Sequence, residues 1–114
     1  MTTPATSGAR LALTAAERDI LRAILRDVLG PAAVAFVFGS RATGRAGRFS
    51  DLDLAIDAGR EIASTALARL REAFTESDLP FRVDVLDWRA IDDRFRAAIA
   101  GDRVALSTSD AADR

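Results

Sequence analysis

No cysteine, histidine, tyrosine or lysine occurs among the 114 residues. Each absence removes a class of chemistry. Without cysteine there are neither disulfides nor thiolate metal sites. Without histidine there is no imidazole base, no Ser-His nucleophile pair and no His-ligated zinc. Any metal must then sit on oxygen, which selects Mg²⁺ or Mn²⁺. All 16 basic side chains are arginines, planar forks of donors suited to phosphate. The net charge of −1 gives no basic field for wrapping nucleic acid, so a small nucleotide is expected rather than a polynucleotide. No apolar run reaches the length of a membrane helix. Residues 1–10 are rich in Thr, Ala and Ser without an apolar core, so no signal peptide is expected and the default location is cytoplasmic.

What is present reads as one small domain, with 49% apolar residues and room for a modest core. Thr14-x-x-Glu17 is a capping box. Ile20, Leu21, Ile24, Leu25 and Val28 then keep helical spacing until Gly30 and Pro31 stop the helix. Residues 33–38 (AVAFVF) form a short apolar, β-branched and aromatic run, a buried strand. Residues 39–50 carry Gly39, Gly44 and Gly47 and read as a loop with one helical turn after Ser40. Residues 51–57 (DLDLAID) alternate with period two, a second strand. A helix is expected over 60–74, a turn over 77–80, a strand over 81–86, a helix over 90–100 and a short strand over 104–106. Residues 1–12 are expected to be a disordered arm and 107–114 a flexible tail, flanking a domain over 13–106. The order α-β-β-α-β-α predicts an α+β sandwich, a small mixed sheet of three to four strands packed by helices.

Two features of this layout point to chemistry. Asp51 and Asp53 are two apart on a strand, so their side chains share a face, roughly 7 Å apart, while Leu52 and Leu54 point the other way. Asp84 stands between Val83 and Val85 on another strand. If the two strands are neighbours, three carboxylates converge and repel unless a cation joins them. The bland alternative is an edge strand with solvated aspartates. Asp57 and Asp87 sit at strand ends, where turn and cap roles are usual, and are left out of the site. The second feature is a buried strand running directly into Gly39-Ser40. Glycine admits close approach of a ligand to the backbone, and the N–H groups of the following turn can hold oxyanions. Arg41, Arg45 and Arg48 add charge in the same loop. A Gly-Ser dipeptide by itself is equally an ordinary turn.

Together these elements have a specific spacing: Gly39-Ser40, ten residues, Asp51-Leu52-Asp53-Leu54, then Val83-Asp84-Val85 about thirty further on. This pattern resembles the nucleotidyltransferase superfamily of the DNA polymerase beta type. The finer form, Gly39-Ser40-Arg41-Ala42-x-Gly44 followed by Ser50-Asp51-x-Asp53-Leu54, resembles its minimal nucleotidyltransferase (MNT) group over residues 33–106. The resemblance implies that Gly39, Ser40, Arg41 and Ser50 bind the triphosphate, with Arg41 on the β- and γ-phosphates. It implies that Asp51, Asp53 and Asp84 ligate metal and that Asp84 is the base for an incoming hydroxyl. The reaction is attack of that hydroxyl on an α-phosphate with release of pyrophosphate.

Larger members add a second domain that this length does not accommodate, so a partner is expected to complete the pocket. MNT proteins are typically antitoxins paired with an all-helical HEPN-type RNase toxin, to which they transfer AMP from ATP on a tyrosine. A hetero-oligomer is the corresponding expectation. With no Tyr in this chain, a tyrosine acceptor must lie on another chain. The alternatives are a non-catalytic antitoxin acting by occlusion and a small-molecule nucleotidyltransferase of the aminoglycoside type.

Overall fold

The computed structural model describes residues 13–44, 47 and 49–106. The expected arm (1–12) and tail (107–114) lie outside the described residues, as do Arg45 and Arg48. Helix α1 spans Ala15–Leu29. Its capping box is formed: the Glu17 N–H donates to the Thr14 hydroxyl, and the Thr14 N–H to the Glu17 carboxylate, each at 3.0 Å. Such a cap stabilises a helix by about 1 kcal/mol. Gly30, at φ 89°, ends it.

Four strands follow: β1 (Val34–Phe38), β2 (Leu52–Asp57), β3 (Val83–Asp87) and β4 (Val104–Leu106). They are interleaved with the single turn α2 (Ser40–Thr43), α3 (Ser64–Glu76) and α4 (Asp93–Ala100). The sheet order is β3-β2-β1-β4. β1 is antiparallel to both β2 and β4, whereas β2 and β3 are parallel. Helix α3 supplies the crossover that a parallel pair requires. The mixed four-stranded α+β sheet is the expected architecture.

Alternation divides the sheet into two faces. Leu52, Leu54, Ile56, Val37, Ala35 and Leu106 are buried against Leu21 and Leu25 of α1 and Leu70 and Phe74 of α3. Each fully buried leucine contributes roughly 1.5–3 kcal/mol. The opposite face carries Phe36, Phe38, Asp53 and Asp84. Here the cover is thinner: Phe95 of α4 meets Phe38 edge-on at 6.4 Å, and Trp88 lies 6.0 Å from Phe36. Arg103 stacks on both Phe36 and Trp88. Among the described residues no helix is long and apolar enough to cross a membrane.

Most boundaries shift by one or two residues, and three differences have an identifiable cause. Helix α3 begins at Ser64 rather than 60. The Ile62 N–H is held at 2.7 Å by the Asp87 carboxylate, and Gly59 takes φ 84°, so residues 59–63 make a loop instead of a first turn. Helix α4 begins at Asp93 rather than 90, because the Asp92 side chain caps it by accepting from the Phe95 N–H. Strand β3 runs 83–87 rather than 81–86, since its pairing with β2 starts where Leu52 meets Val83.

Candidate active site

The site is a row across three strands. Phe38, the last residue of β1, pairs with Asp53 of β2, and Asp53 pairs with Asp84 of β3. Residues in direct register share a face, so Asp53 and Asp84 stand side by side on the thinly covered face. Asp51 is exposed and leads into β2. The sequence-based condition for convergence, that the two strands be neighbours, is met.

Asp53 is half-buried. Burial pushes its carboxyl above the ordinary carboxylate value, and the charges of Asp84 and then Asp51 push it the same way. The Asp84 side chain is 50% exposed and lies 3.6 Å from the exposed Arg82 guanidinium. No three carboxylates among the described residues already enclose an ion by themselves. An all-oxygen donor set, crowded with like charge and open on one side, nevertheless fits a hard divalent ion. Such an ion takes one or two carboxylates and keeps its other positions for water or substrate oxygens.

Gly39 closes the row. It follows β1 at φ 76°, in the region that favours glycine. A Cβ placed there would stand 2.5 Å from the Asp53 Oδ2. Glycine is therefore needed twice, for the backbone conformation and for the carboxylate packed against it. Ser40 opens the turn α2, and the Ala42 and Thr43 N–H groups donate back to the Gly39 carbonyl at 3.0 and 3.2 Å.

Arg41 is placed differently from the expectation of a phosphate contact. Only 3% exposed, its Nε and Nη2 donate to the Ser50 carbonyl at 3.0 and 2.9 Å. Its guanidinium lies 4.0 Å from the centre of the Phe81 ring. The Ser50 hydroxyl accepts from the Gly47 N–H at 2.9 Å. Arg41 and Ser50 thus lock the segment that delivers Asp51. No sequence pattern announced this, because Phe81 and Ser50 reach Arg41 only through the β2/β3 pairing.

The two aspartates left outside the site sit at the other ends of the strands. Asp57 accepts from Arg89 Nε at 2.7 Å and from the Gly59 N–H at 2.9 Å. The Arg89 bond, then the Gly59 bond, hold its carboxyl below the ordinary value. Asp87 is buried and accepts from the Ile62 and Arg89 N–H groups.

A mixed sheet with a glycine turn against paired carboxylates on adjacent strands defines the nucleotidyltransferase class. The family described as "Polymerase beta, Nucleotidyltransferase" matches residues 21–112, and the chain belongs to it. The probable protein adenylyltransferase MntA of Haemophilus influenzae is 45% identical over 94 residues, 82% of each chain. A crystal structure of a toxin–antitoxin with AMP-PNP matches with a TM-score of 0.68 and 24% identity, over 84% of this chain and 77% of that one. A complex of tri-AMPylated Shewanella oneidensis HEPN toxin with MNT antitoxin matches with a TM-score of 0.59 and 19% identity, over 84% and 76%. At those identities the solved structures show the shared fold.

Proposed function

We propose that this chain is a metal-dependent antitoxin that transfers AMP from ATP to a tyrosine of a HEPN-family RNase toxin and thereby silences it. The observation that carries the reading is the Asp53–Asp84 register with Gly39 packed on Asp53. The 45% identity to a probable protein adenylyltransferase supports the choice of acceptor class.

Each residue then has a distinct task. Asp51 and Asp53 would hold the Mg²⁺ or Mn²⁺ ion that carries the triphosphate, and Asp84 would complete a second position. The bound ion supplies charge neutralisation for the phosphates and the leaving pyrophosphate. Gly39 and Ser40 offer backbone N–H groups and a hydroxyl to the phosphate oxygens. Arg41 and Ser50 hold the loop that delivers Asp51, in place of the direct phosphate contact first expected of Arg41. Asp84 accepts the proton of the tyrosine hydroxyl as its oxygen bonds to the α-phosphorus. The bond from that phosphorus to the bridging oxygen breaks, and pyrophosphate leaves. Positioning and charge carry such a transfer without a covalent protein intermediate.

The test is intact mass of a HEPN-family toxin co-expressed with this chain. The wild type adds the mass of AMP to a partner tyrosine, and the Asp51→Asn/Asp53→Asn double variant does not. A double variant that leaves the partner unmodified yet still suppresses its RNase activity would replace transfer with occlusion.

A further inference from the structure

Beside the carboxylate row runs a feature that the transfer chemistry does not use. Among the described residues β3 is an edge strand, paired only with β2. The Leu52 N–H donates to the Arg82 carbonyl at 2.8 Å, and the Trp88 N–H to the Ile56 carbonyl at 2.9 Å. In a parallel ladder alternate residues face the partner strand. Residues 82, 84, 86 and 88 therefore serve β2, and Val83 and Val85 turn their N–H and C=O groups outward. Along this edge lies a cavity of about 600 Å³ bounded by the end of α3 and by β3 itself. Phe74, Leu79, Phe81 and Val85 give it apolar walls, with Arg71 and Arg82 among its lining residues. Arg71 and Arg82 are both exposed.

We propose that the edge of β3 is the docking site for the acceptor: an extended, acidic segment of the partner protein adds as a further strand and lays its hydroxyl residue opposite Asp84. The inference rests on the transferase reading of the same site and adds to it how the acceptor is held. Unpaired edge groups template exactly one kind of ligand, another extended backbone.

The register does the rest. In antiparallel addition, Asp84 occupies a non-hydrogen-bonded position, because its own backbone groups face β2. Side chains at such positions approach most closely, with Cα atoms about 4.5 Å apart. The residue opposite Asp84 shares its sheet face, and so stands beside Asp84 with Asp53 one strand further in. Its two neighbours point to the other face, toward α3 and the apolar wall. Arg82 flanks Asp84 on the reactive face, and Arg71 stands on α3. Arg71, Arg82 and Asp84 are the charged residues that line the cavity; with Arg82 set against Asp84 at 3.6 Å, Arg71 leaves a net positive lining, which favours an acidic segment over a basic one. The acceptor chemistry is thus a hydroxyl residue between apolar neighbours, with acidic residues close by.

The experiment is hydrogen exchange of this chain, free and in complex with a HEPN-family toxin that it binds, without nucleotide. The Val83 and Val85 amides, open in the free chain, should slow at least about tenfold in the complex. Val83→Pro removes one outward N–H at the first residue of an edge strand while sparing the bonds to β2. Arg71→Glu reverses charge on the helix surface, where folding is not at stake. Each should weaken partner affinity about tenfold, and Arg94→Glu on α4, the same change away from the cavity, should not. A formed complex with no protection over residues 81–88 overturns the docking site, however well AMP is transferred. Protection of those amides by Mg²⁺ and AMP-PNP alone would assign the cavity to the nucleotide and also overturn it. Protection by the partner without AMP transfer would retire the transferase reading and leave the docking site standing.

Discussion

Strand β2 carries aspartates toward both ends, and the fold treats them in opposite ways. At the carboxyl end, Asp57 is paired with Arg89 and a backbone N–H, and neighbouring Asp87 accepts two N–H groups. At the amino end, Asp53 faces Asp84 across the parallel pair with Asp51 beside it. The Asp57 carboxyl is held below its ordinary value, and the Asp53 carboxyl is pushed above it. Arg82 lies 3.6 Å from Asp84 on the exposed side, whereas Arg41 is turned inward onto Ser50 and Phe81. The crowding of Asp53 with Asp84 and Asp51 is where, in the proposed function, a cation and a substrate would do the pairing.

Substitutions can break or sharpen this contrast. The largest effect is expected of Asp53→Asn, which should lower the rate of AMP transfer by about 10³-fold, since it removes fixed charge from the reacting centre. Single-turnover transfer with saturating ATP measures it. Gly39→Ala comes next. The new methyl collides with the Asp53 carboxylate, and the backbone at φ 76° disfavours it. A displaced carboxylate should cost about 10²-fold in the same assay. At the other end, Asp87→Ala should leave the catalytic carboxylates in place but strand the buried Ile62 N–H. A loss of about 2–3 kcal/mol in denaturant unfolding is the expected outcome.

Asp57→Asn should do least. Its ion pair with Arg89 is partly exposed, a class worth roughly 0.2–1 kcal/mol. The sign follows from its depressed folded pKa. The contribution is present above the ordinary value of 3.8 and lost as pH falls through the lower folded value. Unfolding curves of wild type and Asp57→Asn should therefore differ at pH 7 and converge in acid.

The amino-acid pattern made most of this legible, for identifiable reasons. The Thr14–Glu17 box, the apolar run into Gly39 and the alternation of DLDLAID are local signals, and each became the element expected. The convergence of Asp84 with Asp53 was legible only as a condition, because strand adjacency is a tertiary fact. The start of α3 was misplaced because the Asp87 carboxylate, 25 residues away, holds Ile62 out of the helix. Arg41 was the larger surprise. Beside Gly-Ser in a loop it resembles a phosphate ligand. The Ser50 carbonyl and the Phe81 ring, which are among its partners, are brought to it by the sheet. The open edge of β3 could not be read at all, since period-two alternation does not say which strand is outermost.

The most direct test of the contrast is the thermal midpoint of wild type and Asp53→Asn, each with and without Mg²⁺ and ATP. A carboxyl whose folded pKa is raised costs stability while ionised, and the cost is relieved as pH falls through that pKa or when the charge is removed. At pH 7 and without ligand, Asp53→Asn should melt above the wild type. Mg²⁺ with ATP should raise the wild-type midpoint, because ligand binds only the native site, and should move the variant little. Equal shifts in both proteins, or a variant less stable than wild type without ligand, would contradict the account.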